Sequence, residues 1–517
     1  CTDCGAVGDI YLRHKFVKTG AEAARVALEG GTDIECGDTI KTFGAVEQNR
    51  FLLEQAVTRT FNVRFELGEF NPPTGDEIKD YDRAAHAKLA FDAAVQGSVL
   101  LRNDKKALPL KKGSKIALMG PMATVNWQLL GNYAAYPDNS NFSNYPEITS
   151  IRQGLEQCEF ASKVFNPSPP RIDGPFICSN TDDTIPAFLT FNEEPEDADV
   201  AVLAMGLYPQ DEQLMDPDIR PQDSGMCQAG CLESEGCDRG DMYWPKGQRL
   251  LMEKAATWKI PLVIIIVAAG PLDLSFLHAR TGPTAILWMG YPGQMAGIAA
   301  AHMLFGLESP SGKLSQTYYK ASYGAALPID DLHMRPNKKT GFPGRSYRFV
   351  DEKKWVQYPF GYGLSYNRWK FTLHTPQLSL EQEEAGKKKE FASCVIQVDL
   401  DLKLAIGKNP MEAVLLFLIP PKECPLAKLW EKDSPGALAP LKELKGFDKV
   451  KGPKGSATFE LGKEHFQLAG EDGNFQLYEG EWHAEIGSPA VLGPIPIKVK
   501  KSGCKVKTGF PWPTWHQ

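Results

Sequence analysis

The sequence predicts a multidomain α/β plus all-β protein: an open α/β sheet with helices on both faces, then a β-sandwich of immunoglobulin-like type. Three observations carry this expectation. From about residue 83, short apolar runs ending in Gly or Pro alternate with helix-period stretches. After "PFGYGLSY" (Pro359 to Tyr366) the helical periods stop, and short strand-like segments recur between Gly, Pro and Lys turns. At 517 residues the chain is also too long for one ordinary core, so roughly two to four domains are expected.

In chain order, residues 1 to about 70 read as strand–helix–strand–helix. "VKTGAEAARVALEGG" has a Thr start signal, an Ala/Val/Leu helical pattern and a Gly-Gly stop. "TDIECG" after it is expected to be a short strand. "GAVEQNRFLLEQAVTRTFNVRFELG" then carries apolar residues at helical spacing and ends at Gly68. "NPPTGDE" is a turn-rich linker. "DRAAHAKLAFDAAVQGSVLLRN" reads as a helix running into a strand. "KIALMGP", "DVAVLAMG", "PLVIIIVAAG" and "AILWMGY" are short buried strands. Ligand sites in such sheets gather at the carboxyl ends of the strands. In the last third, "SCVIQVDLDLKL", "EAVLLFLIP", "SATFELG", "NFQLYEGEWHAEIG" and "PIPIKVK" are the expected sandwich strands. No repeat of solenoid type is present.

Composition narrows the function. Apolar residues make up 43% and charged residues 23%, as in a globular protein. With 57 basic against 64 acidic residues, the net charge of -7 argues against a nucleic-acid surface or a polybasic membrane patch. The run "PLVIIIVAAGPL" falls well short of the ~20 residues a membrane span needs. The 11 cysteines are scattered, which suits disulfides better than a metal site. Cys227, Cys231 and Cys237 cluster without a nearby His to complete a zinc set. Their odd number implies a free thiol or a partner on another chain. "NFS" at Asn141 is a glycosylation sequon, and a secreted, extracellular or lumenal location follows as the expectation. No Gly-rich loop has phosphate-cradling spacing, and no cofactor is implied.

The motifs resemble a known family. "TDCGAVGDIYLRHKF…EAARVALEGGTDIECG" is similar to the end of the catalytic barrel in family 3 glycoside hydrolases. "AHAKLAFDAAVQGSVLLRNDKKALPL", "IALMGPMA", "GNYAAYP", "ESEGCDR", "ILWMGYPGQMAG", "LFGLESPSGKLSQTYY", "MRP", "FPGRSYRF" and "PFGYGLSY" follow in the family's order, over roughly residues 1 to 370. The spellings "DCGAV", "DIECG" and "PGRSYRF" look most like the β-xylosidase and α-arabinofuranosidase branch. The resemblance implies three domains. Residues 1–72 would be the last part of a (β/α)8 barrel, 83–350 an α/β sandwich domain, and 366–510 a fibronectin type III-like domain.

It also implies the chemistry. A retaining glycosidase needs one carboxylate to attack the anomeric carbon and another to protonate the leaving oxygen, ~5–5.5 Å apart. Asp3, in "TDCGA", stands where the family has its nucleophile. In "CLESEGCDRG", Glu235 matches the family's acid/base and Glu233 is the second choice, with Arg239 assigned to orienting Asp238. His14 matches a family His near the pocket mouth and is read as packing or capping. His86 is read as a cap or core position, and Gly290 to Gln294 as turn structure. Trp288, Arg345 and Tyr347 are expected to pack in the core rather than line a groove. The function implied is an exo-acting retaining β-glycosidase, most like a β-xylosidase, with a carbohydrate substrate.

Two departures qualify the resemblance. The family's barrel has eight strands, whereas this chain opens on Cys1, without an initiator methionine and almost on Asp3. Two parallel strands with their helices cannot close a barrel, and their apolar edge would face water. The rest of the barrel is therefore expected on a separate chain or lost from the sequence, and this chain alone is expected to be inactive. The second reading is a non-catalytic, secreted carbohydrate-binding or structural protein on a hydrolase scaffold. Also, "YPQDEQLMDPDIRPQDSGMCQAGC" precedes the acid/base motif where xylosidase-like relatives keep a short turn, which leaves the sugar unread.

Overall fold

The computed structural model describes residues 1–43, 49–72, 82–131, 148–165, 194–207, 233, 241–327, 331, 333–337, 339–374, 391–421, 439–469 and 474–506. The chain divides into two compact units, Cys1–Asp82 and Arg83–Gln517.

The first unit holds helices α1 (Ala6–Leu12), α2 (Gly20–Glu29), α3 (Thr39–Phe43) and α4 (Arg50–Glu66). Thr19 caps α2 as its sequence signal required: the Glu22 amide donates to Thr19 Oγ1, and Glu22 Oε2 accepts the Thr19 amide at 3.0 Å. α4 likewise stops just before Gly68, whose φ is 74°. The expected strands are not formed. Segments 2–5 and 34–36 lie alongside each other, joined by Thr2 N–H to Ile34 O at 2.9 Å and Gly5 N–H to Cys36 O at 2.7 Å. No further segment among the described residues extends these two bonds into a ladder, so "TDIECG" stays extended without becoming a strand. α4 is covered sparsely for a helix of 17 residues. Phe51, Val57, Phe61, Val63 and Phe65 are each at least 40% exposed, and only its Ala56 is buried.

The second unit begins with α5 (Arg83–Gly97), which runs directly into β1 (Val99–Asp104). β2 (Ser114–Met119), β3 (Ala161–Phe165), β4 (Val200–Gly206), β5 (Leu262–Val267) and β6 (Thr284–Trp288) complete a six-stranded sheet in the order β1-β6-β5-β4-β2-β3. β6, β5, β4, β2 and β3 are parallel, and β1 closes one edge antiparallel to β6. β4 and β5 are buried along their whole length, which is why they read as unbroken apolar runs. Alternate side chains feed two cores. On one face Val202, Ala204, Val263 and Ile265 pack with Ile151 and Leu155 of α6 (Ile151–Glu156), and with Ala300 and Leu304 of a later helix (Ala296–Leu304). On the other, Leu203, Met205, Ile264 and Ile266 meet Leu251, Met252 and Ala255 of α7 (Lys246–Ala255). Helices thus cover both faces, as the sequence predicts. The helix Ala296–Leu304, α8, approaches α6 closely: a Cβ on Gly297 would lie 2.0 Å from Ser150 O.

Two strand pairs stand apart from the larger sheets, β7 (Tyr318–Tyr319) with β8 (Val356–Tyr358) and β14 (Gln467–Ala469) with β15 (Phe475–Leu477). Among the described residues from Arg368, the remaining strands pair antiparallel. β9 (Arg368–His374), β10 (Cys394–Leu404) and β13 (Lys454–Leu461) form one sheet in the order β13-β10-β9. β11 (Met411–Ile419), β12 (Glu443–Lys451), β16 (Gly480–Ile486), β17 (Leu492–Lys500) and β18 (Gly503–Val506) form another, in the order β12-β11-β16-β17-β18. Both sheets contribute to one core. Trp369, Ile396, Val398 and Phe459 come from the first, and Leu416, Leu418, Trp482 and Ile497 from the second. Burial alternates along "CVIQVDL" in β10, and the apolar–polar pattern follows it at every residue except the half-buried Val395. A Cys394–Cys504 disulfide joins the sheets.

Candidate active site

Asp3 lies in the extended segment before α1, and its side chain is exposed. The chain around it is held tightly. Cys4 is bonded to Cys36, the Cys36 amide donates to Thr2 Oγ1 at 3.1 Å, and the Cys4 amide donates to Asp3 Oδ1 at 2.7 Å. Gly5 then turns the chain into α1 with φ 78°, a left-handed conformation that favours glycine. Beyond it, Glu35 accepts the amides of Thr39 (3.0 Å) and Ile40 (2.6 Å), which fixes the start of α3. Asp3 is therefore a solvent-facing carboxylate on a stapled, non-helical corner.

In the second unit Glu233, the first residue of the acidic motif, meets the carboxyl edge of the sheet. Glu233 accepts two backbone amides just past β5: Ala269 N–H to Oε2 at 2.6 Å and Gly270 N–H to Oε1 at 2.7 Å. The Tyr291 hydroxyl, after β6, lies 3.3 Å from Glu233 Oε2 and 3.1 Å from Leu207 O, after β4. The same β5 turn is held from other sides. Gln316 Nε2 donates to Ala269 O at 2.6 Å, and Trp288 Nε1 donates to Ala268 O at 2.8 Å. Gln248, fully buried on α7, exchanges two hydrogen bonds with the Gly206 backbone at the end of β4. These groups follow β4, β5 and β6 and so lie at the carboxyl ends of parallel strands, the edge on which open α/β sheets bind ligands.

Glu235, Asp238 and Arg239 lie outside the described residues, as do Asn141 and the cysteines at 178, 227, 231, 237 and 424. Among the described residues Cys1 and Cys158 are free, and no cluster of His, Cys, Asp and Glu could hold a metal ion. His86 is exposed on α5 rather than in the core, and His14 is exposed. Trp288, Arg345 and Tyr347 are half-buried rather than core residues, and each makes structural contacts. The Arg345 guanidinium holds the Asp331 carbonyl. The Tyr347 ring stacks on Phe360 at 4.3 Å, and its hydroxyl accepts the Leu444 amide at 3.0 Å. Tyr323, whose phenol burial pushes up, donates to Gly344 O at 2.8 Å and so holds the "FPGRSYRF" turn. Sequence reasoning missed Tyr291, Gln316 and Gln248, because their partners are backbone groups and, for Tyr291, also a carboxylate 58 residues away, none of which a local pattern signals.

These features define a class by architecture: a mixed α/β sheet followed by an all-β body, with the Glu233 carboxylate held at the strand ends. The model of the glycosyl hydrolase family 3 C-terminal domain matches residues 98–366, more than half of the chain. The chain belongs to glycosyl hydrolase family 3. It is 30% identical to a probable exo-1,4-beta-xylosidase, xlnD, of Neosartorya fischeri, covering 94% of this chain and 58% of that protein. It is 34% identical to a probable exo-1,4-beta-xylosidase, bxlB, of Aspergillus clavatus over 71% of this chain and 43% of that protein. It is 30% identical to probable beta-D-xylosidase 7 of Arabidopsis thaliana over 94% of this chain and 61% of that protein. Among solved structures, the GH3 exo-beta-xylosidase XlnD in complex with a xylobiose aziridine activity-based probe superposes with a TM-score of 0.70. That match has 25% identity and covers 94% of this chain and 59% of the other. The chain spans about three-fifths of the length of the relatives it matches over 94% of its residues. No helix among the described residues is long and apolar enough to cross a membrane.

Proposed function

We propose that this chain is part of an exo-acting retaining β-glycosidase, most like a β-xylosidase, that removes terminal sugars from oligosaccharides or glycosides. One observation carries the reading: similarity over 94% of the chain to proteins named as exo-acting β-xylosidases. Asp3 is the nucleophile and Glu235 the acid/base. Asp3 attacks the anomeric carbon as Glu235 gives its proton to the departing oxygen, which leaves a glycosyl ester on Asp3. Glu235, now a carboxylate, takes a proton from water. That water attacks the same carbon and releases Asp3. The exposed carboxylate and stapled corner at Asp3 support its role, because a nucleophile must be both reachable and fixed.

In this reading residues 1–72 are the last part of a (β/α)8 barrel, 83–350 the α/β sandwich domain and 366–510 a fibronectin type III-like domain. The apolar residues exposed on α4 support a missing neighbour, since contiguous apolar surface marks an interaction face. The remainder of the barrel, on a separate chain or an extension of this one, is that neighbour and is needed for activity. The Cys4–Cys36 and Cys394–Cys504 disulfides support a secreted or lumenal location, where the Asn141 sequon would be glycosylated.

The test has two parts. Intact mass and N-terminal sequencing of the native protein, reduced and non-reduced, should reveal the barrel portion. The complete protein should then cleave an aryl β-xyloside. No cleavage of aryl β-xyloside, β-glucoside or α-arabinofuranoside would leave the non-catalytic, carbohydrate-binding reading in its place.

A further inference from the structure

The two glutamates of "ESEGCDR" need different roles. We infer that Glu233 is a positioning residue, anchored on the carboxyl edge of the sheet, and not the proton carrier. The inference rests on the reading of Glu235 as the acid/base.

The geometry argues against Glu233 as the proton carrier. Each of its oxygens already accepts a backbone amide, at 2.6 and 2.7 Å, and the Tyr291 hydroxyl stands 3.3 Å from Oε2. A carboxylate offers about four acceptor sites, and here at least two serve the protein's own backbone. Turning Glu233 toward a glycosidic oxygen would strand the Ala269 and Gly270 amides. The bonds are also long-range: Glu233 is 36 residues from Ala269 and 37 from Gly270. They therefore tie the chain before Glu235 to a turn that follows a fully buried strand.

That turn is itself braced. Gln316 holds the Ala269 carbonyl and Trp288 the Ala268 carbonyl, while Tyr291 reaches the Leu207 carbonyl at the end of the neighbouring strand. Three consecutive residues, Ala268 to Gly270, are thus pinned from outside the strand. A rigid platform of this kind is what a catalytic group needs beneath it, because a 1 Å displacement costs about 10²-fold in rate. Glu235 follows two residues after the anchor, a tether of at most about 7 Å.

The test compares Glu233→Ala, Glu233→Gln and Glu235→Ala in the complete protein. Three readouts are needed: hydrolysis of phenyl and of 2,4-dinitrophenyl β-xyloside, products formed with added azide, and hydrogen exchange at Ala269 and Gly270. The positioning role predicts that Glu233→Ala slows the phenyl substrate by about 10²-fold, because acid assistance is misaligned. The dinitrophenyl substrate needs little acid help and should lose less than about tenfold. Glu233→Gln keeps one acceptor oxygen and should fall between wild type and Glu233→Ala. Azide should yield glycosyl azide with Glu235→Ala but not with Glu233→Ala, and the two amides should lose protection in Glu233→Ala.

Equal loss on both substrates with unchanged protection would overturn the inference. Glycosyl azide from Glu233→Ala and none from Glu235→Ala would make Glu233 the acid/base itself, overturning the inference while keeping the two-carboxylate reading. If wild-type protein cleaves no glycoside, the proposed function fails. Exchange at Ala269 and Gly270 then decides whether the anchor alone stands.

Discussion

Lys313 and Glu412 form a 2.7 Å ion pair linking the sheet-bearing part of the second unit to its all-β body, with side chains 11% and 2% exposed. Lys313 Nζ also donates to Gly363 O at 2.7 Å, and Glu412 Oε2 has no hydrogen-bond partner among the described residues. Removing one partner of a buried pair leaves a desolvated charge behind, whereas replacing both removes the penalty. Glu412→Ala should therefore cost about 3–5 kcal/mol, and the double substitution Lys313→Met, Glu412→Leu about zero or less. Urea denaturation followed by Trp fluorescence measures both. Equal costs for the single and double variants would show that the pair is not what matters there.

Lys449 gives the same junction a pH dependence. Burial pushes its ammonium down to about 8, against the opposing pull of Glu412 and with help from Lys313 and Lys451. Between about 8 and the ordinary 10.5 the unfolded chain holds more protons than the folded one, so stability rises with pH. Below that window the penalty is complete. Partial solvation keeps it to about 1–2 kcal/mol. Lys449→Met should be more stable than wild type at pH 7 by that amount, and the gap should close as pH approaches 10.5. A gap that stays constant with pH contradicts the assignment.

Gly297 sets how closely two helices approach. A Cβ there would sit 2.0 Å from Ser150 O and 2.9 Å from Thr149 O, both backbone atoms that side-chain rotation cannot move. Gly297→Ala should destabilise the second unit by about 2–4 kcal/mol, despite the better helix propensity of Ala. Thermal unfolding would show it as a lowered Tm. An unchanged Tm would mean that α6 and α8 separate at little cost.

How legible was this in the sequence? β4 and β5 were, because strands buried on both faces must be apolar throughout, and "VAVLAMG" and "LVIIIV" are. β10 was legible for the opposite reason, since one buried face imposes alternation. In the first unit the helices α2 and α4 were legible and the strands were not. "TDIECG" has strand composition, but a strand exists only through the ladder its neighbours supply, and among the described residues two bonds do not make one. The antiparallel pairing of β1 with β6 was hidden too, because orientation depends on where the chain returns rather than on local pattern. At the candidate site, motif order pointed to Asp3 and to "ESEGCDR". The bonds that distinguish Glu233 run to backbone amides of Ala269 and Gly270, which any residues would supply.

The most direct test of the central claim is covalent trapping. The complete protein would be incubated with a 2-deoxy-2-fluoro-β-xyloside bearing a dinitrophenyl leaving group, then digested and mapped by mass spectrometry. Fluorine at C2 slows both formation and breakdown of the glycosyl ester, and the dinitrophenolate leaving group restores only formation, so the nucleophile stays labelled. The account predicts one adduct, on the peptide containing Asp3 and on that carboxylate, and none with Asp3→Asn. A stable adduct on any other carboxylate, in protein that hydrolyses aryl xylosides, would contradict it.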